Sequence, residues 1–517
     1  MGSPPLLDRT TVTRLDPAAR PLVDPAGLEA RIVHLGLGAF HRAHQAVYTE
    51  QAAAATGEPW GIVAVEPLSE EAPRLLAAQD NLYSVTDRAP GALTTRVVGS
   101  LVGALHLRRD AAAVDALLRS PAVGTVTLTV TEKGYYRRPG TAELDLSATP
   151  VAADLARTAG DGGTDAPGTV VGRLAASLRA RWRDHGAPLD VVSCDNMAGN
   201  GPALESVVRG FVAASAWADR EAVLSWIADS VSFPATIVDR IVPATTAADR
   251  ELASSALGLR DEMPVLGEPF RQWVLEDRFR AARPPWEVAG ALVVPDVAPY
   301  QLMKLRLLNG SHSAMAYLGL AAGCRTVADV LQTSWGETLV RAFGAEVAPS
   351  LPSAGPDPAE YVGELVERFR NPAMQHLLVQ IGSDGSLKIP ERWLAALREL
   401  RSAGRPTPTL ELALAAWVLA ARPGTGPEQV HGTTDPLAPA LARVWRGAAG
   451  PRDRVAALLR AVGAADLADD SGLVAGVASR LPALAAGRIE LDHGAAGTAA
   501  RTGTPYGVRD EKGSTTA

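Results

Sequence analysis

Cysteine is nearly absent from this chain: Cys194 and Cys324 are the only two in 517 residues. Two thiols make neither a disulfide framework nor a thiolate metal site, and such sparing use fits a reducing compartment. Lysine is scarce too. Lys133, Lys304, Lys388 and Lys512 stand among 50 cationic side chains, the rest being arginine. There is no long basic run and the net charge is −7, which argues against a phosphate-backbone binder. No stretch approaches the ~20 uninterrupted apolar residues of a membrane helix. The opening MGSPPLLDRTTVTRLDPAAR holds no apolar signal core. The expectation is a cytoplasmic protein that binds neither nucleic acid nor membrane.

What is present is an ordinary globular composition, 47% hydrophobic and 21% charged, long enough for several domains and a large core. The abundance of arginine makes each lysine informative. A guanidinium keeps its charge, whereas a desolvated amine can lose its proton. A protein that needs a neutral amine at working pH cannot use arginine for it.

Residues 1–30 are polar and dotted with Pro4, Pro5, Pro17, Pro21 and Pro25, and read as an arm. A strand, Arg31–Leu35, then runs into Gly36-Leu37-Gly38, and a second apolar run from Trp60 to Val65 ends at Glu66. The Ala- and Gln-rich segment between them reads as a helix, giving a β-α-β unit. Val123–Thr131 and Leu189–Ser193 are further buried strands. Strands alternating with helices imply an α/β fold, a mostly parallel Rossmann-type sheet covered on both faces. Past residue 297 the spacing turns helical over Tyr300–Leu320, Pro358–Phe369, Arg392–Leu400, Leu410–Ala421 and Arg452–Val462. The expected plan is an arm (1–30), a Rossmann-type domain (31–296), a mainly helical domain (297–493) and a disordered tail (494–517) with almost nothing to bury.

Gly36 and Gly38 follow a strand and open a helix, the context of a dinucleotide-binding turn. There the backbone approaches a pyrophosphate and the helix N-terminus faces the anion. His41 stands where the third glycine of the fingerprint would be. Glu66 closes the next strand, where a carboxylate accepts hydrogen bonds from the adenosine ribose diol and repels a 2′-phosphate, favouring NAD over NADP. Its spacing from Gly38 exceeds the usual twenty or so. His41 and His44 lie three apart and raise the question of a metal. Without a carboxylate or thiolate at helical spacing beside them, a structural role is favoured.

The segment from Pro299 to His312 (PYQLMKLRLLNGSH) is the most informative. At about 100° per residue, Asn309 lies about 140° and His312 about 80° around an α-helix from Lys304. Asn309 and His312 are direct neighbours, and all three occupy one broad face. Leu302, Met303, Leu305, Leu307 and Leu308 make the segment strongly apolar. Burial there would lower the lysine's pKa and make it a general base. A lysine snorkelling from an amphipathic helix fits the same spacing, and the residues alone leave the two readings open.

Six motifs in order now identify a resemblance: IVHLGLGAFHRAHQ from residue 32, TVTEKGYY (129–136), SCDNMAGNG (193–201), FPATIVDRIVP (233–243), EPFRQWVLED (268–277) and KLRLLNGSHS (304–313). Together they cover roughly residues 30–490 of a chain that resembles the polyol-specific long-chain dehydrogenase, or mannitol dehydrogenase, family. The resemblance implies a Rossmann-type domain joined to a mainly helical one, NAD or NADP as cofactor, with Glu66 favouring NAD, and no metal. It implies that Lys304 is the general base, that Asn196 and Asn309 hold the developing alkoxide, and that His312 orients the substrate. Asp239 is implied to contact substrate or support this set, and Lys388 to reach distal hydroxyls. Asn200 is read as a further substrate contact, and Phe40, Arg42, Thr131 and Glu132 as further cofactor contacts. Where the family usually has glutamate three residues before the lysine, this chain has Gln301, an amide that cannot relay a proton to bulk water.

Two cations lean toward the fructuronate reductase branch: Lys133 in TEKGY and Arg271 in EPFRQW. Either would suit a carboxylate-bearing sugar acid through charge-assisted hydrogen bonds. The alternatives are that they tether surface loops, or that Arg271 pairs with Glu268. The expected partner is a small sugar acid or polyol, and the expected assembly a monomer or small homo-oligomer. Competing readings are an alditol dehydrogenase acting on mannitol and a catalytically silent NAD-binding protein.

Overall fold

The computed structural model describes residues 4–159, 166–372, 376–424, 429–430 and 433–491. The tail expected at 494–517 lies outside the described residues. The chain divides into two compact units. The first comprises Met1–Asn309, Thr326–Ala328 and Ser350–Leu377, and the second Gly310–Arg325, Asp329–Pro349 and the chain from Leu378. The two units interleave along the sequence: the helix Pro358–Phe369 packs against the Lys304–Asn309 turn and so belongs with the first unit.

Six strands form the central sheet of the first unit: β1 Glu29–Leu35, β2 Trp60–Glu66, β3 Leu101–His106, β4 Thr125–Leu128, β5 Leu189–Ser193 and β6 Val231–Ser232. Their spatial order is β3-β2-β1-β4-β5-β6, and every neighbouring pair is parallel. The order reverses between β1 and β4, the switch point where such sheets open a crevice at the carboxyl ends of their strands. Parallel strands covered on both faces are apolar on both. Val33, Leu35, Val126, Leu128 and Val191 pack on one face with the helices Val170–Asp184 and Asn200–Ala214. Ile32, Ile62, Ala64 and Val192 pack on the other with the helix Gln45–Thr56. Each of these valine, leucine and isoleucine side chains contributes about 1.5–3 kcal/mol by leaving water.

The strand expected over Val123–Thr131 is shorter. Beyond Leu128 the chain leaves the sheet, because the Val130 and Thr131 N–H groups donate to the Asp195 carboxylate at 3.3 and 2.7 Å. The arm is pinned as well. Leu7 and Leu15 are buried with Leu82, Val97, Leu257 and Leu259. Its prolines open short turns at Pro17–Ala19 and Pro25–Gly27, capped by Asp16 and Asp24.

Among the described residues the second unit is built of helices, with one two-stranded pair at 429–430 and 433–434. Its centre is Pro408–Ala420, apolar on all sides, which packs against Gly310–Ala321 and Ser471–Ala485. Among the described residues no helix is long and apolar enough to cross a membrane.

Candidate active site

The helix Ala298–Met303 does not continue as an α-helix. It passes into a π-helical turn, Lys304–Asn309, which ends the first unit's main stretch of chain. Bonding from i to i+5 gives roughly 4.4 residues per turn, about 82° each, so Asn309 comes to about 50° from Lys304. The α-helical arithmetic had them about 140° apart. The wider turn swings the asparagine toward the lysine's side of the helix. Single π-turns of this kind are frequent at functional sites.

Lys304 is buried, its side chain 11% exposed. Its Nζ donates to Val238 O at 2.7 Å and to Asn196 Oδ1 at 3.0 Å, with Asp239 Oδ1 at 3.8 Å. Burial lowers its pKa, Asp239 opposes that shift, and Arg368 adds to it. A neutral amine has two N–H groups and one lone pair. The two N–H groups have their acceptors here, so the lone pair is left to take a proton. Asn196, accepting through Oδ1, keeps its amide N–H groups to donate to an oxygen placed near the amine.

Asn196 owes its place to Asp195, which the sequence reading passed over. The Asp195 carboxylate accepts from Thr131 N, Val130 N and the Tyr135 hydroxyl, the last at 2.8 Å. Burial raises its pKa. Tyr135 also bonds Ser193 at 2.5 Å. The loop after β4 is thereby clamped to the loop after β5. Thr131 sits at φ +66°, a strained value for a β-branched residue, held by this clamp.

Asp239 ends the strand Thr236–Asp239. Its Oδ2 accepts from Arg368 Nη1 at 2.7 Å, while Arg368 also holds Glu268 through Nη2 at 2.8 Å and Nε at 3.2 Å. Glu268 therefore pairs with Arg368 and not with Arg271. Nothing in the sequence pointed to Arg368, which lies a hundred residues beyond Glu268.

The glycine turn is shaped for a dinucleotide. Gly36 has φ +112°, and a Cβ there would lie 2.3 Å from Thr129 O. A Cβ on Gly38 would meet nothing within 4 Å, which leaves space above the turn. The N-terminus of the helix Ala39–Ala43 carries no side-chain cap. Glu66, half-buried at the end of β2, accepts from Leu68 N at 3.0 Å, Ser69 N at 3.3 Å and, weakly, Leu37 N at 3.4 Å. A carboxylate has about four lone-pair sites, so acceptor capacity remains for a ribose. Under this turn His41 stacks on His34 with ring centroids 3.4 Å apart, while His44 bonds Gln272 O at 2.8 Å. Burial pushes both His41 and His44 down to about 3, so both are neutral, and they face different partners. Phe40 stacks on His44 at 4.9 Å.

Several expected contacts lie elsewhere. Arg42 is buried, bonded to Met263 O and set 5.5 Å from the Tyr83 ring centroid, so it is not a cofactor contact. Asn200 is buried with its amide committed to Ser193, Asp195, Gly201 and Thr236, which ties β5 to the strand that ends at Asp239 and leaves nothing for substrate. Arg271 bonds Gln51 and lies over Tyr48 at 4.7 Å. Glu132 is exposed and paired with Arg137. Lys133 is exposed two residues beyond the clamped Thr131. Lys388 and His312 belong to the second unit, where Lys388 donates to Ser383 O at 2.6 Å.

Two family models cover the chain: the Mannitol dehydrogenase Rossmann domain over residues 30–288 and the Mannitol dehydrogenase C-terminal domain over 296–485. D-mannonate oxidoreductase of Escherichia coli (strain K12) is 38% identical over 476 residues, 89% of this chain and 94% of that protein. D-sorbitol dehydrogenase in its substrate-free form superposes with a TM-score of 0.83 at 30% identity, over 93% of this chain and 98% of that one. Pseudomonas fluorescens mannitol 2-dehydrogenase, solved with NAD and D-mannitol, gives a TM-score of 0.73 at 33% identity, over 92% and 96%.

Proposed function

The chain belongs to the mannitol dehydrogenase family, and on that premise we propose that it reduces D-fructuronate to D-mannonate with NADH and oxidises D-mannonate with NAD. It is an oxidoreductase of the NAD-dependent alcohol dehydrogenase type acting on a polyol or sugar acid. Gly36, Gly38 and Glu66 hold the dinucleotide, which when bound supplies the hydride acceptor or donor.

The observation that carries the chemistry is the coordination of Lys304. With both N–H groups engaged by Val238 O and Asn196 Oδ1, the neutral amine takes the proton of the substrate hydroxyl on its lone pair. The Asn196 amide then donates to the alkoxide as charge develops, joined by Asn309 from the π-turn that carries Lys304. In reduction the protonated amine returns the proton to the oxygen. Asp239 stabilises the ammonium form and so helps Lys304 accept the proton. His312 and Lys388 are assigned to substrate orientation and distal hydroxyls.

The uronate assignment rests on Lys133. It is an exposed cation on the loop that Asp195, the neighbour of Asn196, clamps through Thr131 and Tyr135. Arg271 adds no support, since Gln51 and Tyr48 engage it. That engagement, with the likeness to the mannitol-bound structure, favours a second reading: oxidation of mannitol or a similar alditol. The ratio of kcat/KM for D-fructuronate and D-fructose with NADH decides between them. Lys133→Ala should lower that ratio about tenfold, the value of one charge-assisted hydrogen bond. A wild-type preference for fructose overturns the uronate assignment.

A further inference from the structure

Two carboxylates and two cations meet beside the π-turn. Asp239 turns Oδ1 toward Lys304 at 3.8 Å and Oδ2 toward Arg368 at 2.7 Å, so each oxygen faces a different cation. Arg368 also donates to Glu268, through Nε and Nη2. Its guanidinium lies over the Phe270 ring, 3.8 Å from the centroid. Glu268 in turn accepts from Ile241 N at 2.9 Å, which fixes the backbone two residues beyond Asp239. One arginine thus sets both the direction of the Asp239 carboxylate and the course of the chain that carries it.

We propose that Arg368 is a positioning residue of the reaction: it acts through Asp239 on Lys304, and it contacts neither substrate nor cofactor. This rests on Lys304 being the base. With Lys304 neutral, the cluster of Lys304, Asp239, Arg368 and Glu268 carries a net charge of minus one, and with Lys304 protonated it is neutral. Without the arginine the same two states carry minus two and minus one. The amine would then hold its proton more tightly and be a poorer base at neutral pH. Arg368 keeps the cluster near neutrality and leaves Asp239 only partly available to the lysine.

The other groups facing this cluster do not replace that charge. Tyr361, on the same helix as Arg368, is buried, and burial raises its pKa, which keeps its hydroxyl neutral. His376 is held neutral by burial and by Arg368. Arg240 donates to the Glu268 backbone oxygen and pairs with Asp87, not with the Glu268 carboxylate.

The scarcity of lysine makes the test direct. Protein labelled with 13C at lysine Cε carries four labelled side chains, and Lys304→Met assigns the one that matters. Its titration is read on the full chain without substrate, so the result stands whichever sugar is turned over, and also if Lys304→Met leaves turnover intact and so refutes the base. Arg368→Met should move the Lys304 midpoint up by about one pH unit, with a tenfold lower neutral fraction below both midpoints. Glu268→Gln should move it down, since one anion is gone and Arg368 is left to Asp239. If Arg368→Met does not fold, Glu268→Gln decides alone. A midpoint that stays fixed while the melting temperature falls, or that moves with the opposite sign, assigns Arg368 a structural role and overturns the proposal.

Discussion

Two of the arginines that the first unit takes out of water, Arg181 and Arg368, are satisfied in different currencies. Arg181, 1% exposed, meets no carboxylate. Its N–H groups donate to the backbone oxygens of Leu118, Ser120, Val123, Ala187 and Pro188, at the entry to β4 and β5. Burial pushes it down to about 10, so it remains charged at neutral pH. Arg368 meets two carboxylates near the strand exits. Burial works against its charge there, but Asp239 and Glu268 overcome that and raise its pKa. A charge held by dipoles stitches loops together and has no leverage on a titrating neighbour. A charge held by other charges changes what those neighbours do.

The sharpest way to break this contrast is to delete one residue at each end. Arg181→Met takes the side-chain donor from five backbone oxygens, of which Ser120 O keeps the Val123 N–H, and should cost about 4 kcal/mol in folding stability, read by urea denaturation. The folded fraction should retain the wild-type kcat. Lys304→Ala should do the reverse: turnover falls by about 10²–10⁴ while the unfolding midpoint stays close to wild type. If Arg181→Met lowers kcat in folded protein, the two ends are not independent. An active Lys304→Ala variant removes the base from the mechanism.

Acid separates the ends next. His41 and His44 under the glycine turn are pushed down to about 3 by burial, and His34 is lowered by the same cause. The unfolded chain binds protons at these residues once the pH falls below about 6.5, whereas the folded chain does not. Their contribution is thus fully present above that pH and is lost as the pH drops toward 3. Each histidine should cost about 1.4 kcal/mol per pH unit in that window. Melting temperatures measured from pH 8 to pH 5 should fall only below pH 6.5, and less steeply in His41→Gln. A flat profile means the histidines titrate in the folded state.

How far the sequence could be read differs between the ends as well. The strands and the glycine turn were legible because parallel strands covered on both faces show as unbroken apolar runs. Lys304 was legible because arginine fills nearly every other cationic position. Arg368, Glu268 and Asp195 were not, since their meaning lies in partners 129, 100 and 64 residues away. Arg42 and Asn200 were misread for a related reason: both stand in motifs beside the site, yet their side chains turn back into the fold. The angle between Lys304 and Asn309 failed on geometry. No propensity in KLRLLN announces that six residues widen into a π-turn.

Glu66 offers the finest test, because it combines both roles. Like Arg181 it satisfies backbone groups, here the N–H of Leu68 and Ser69; like Arg368 it keeps a charge in a position to act on something else. Glu66→Ala removes both functions and should lose about 1 kcal/mol of stability together with about tenfold in the preference for NAD over NADP. Glu66→Gln keeps an oxygen for the two N–H groups but loses the charge that repels a 2′-phosphate. Its melting temperature should stay near wild type while the ratio of kcat/KM for the two nicotinamides falls nearly as far. If Glu66→Gln keeps the wild-type ratio, the carboxylate at the end of β2 serves only its own turn, and the ribose contact lies elsewhere.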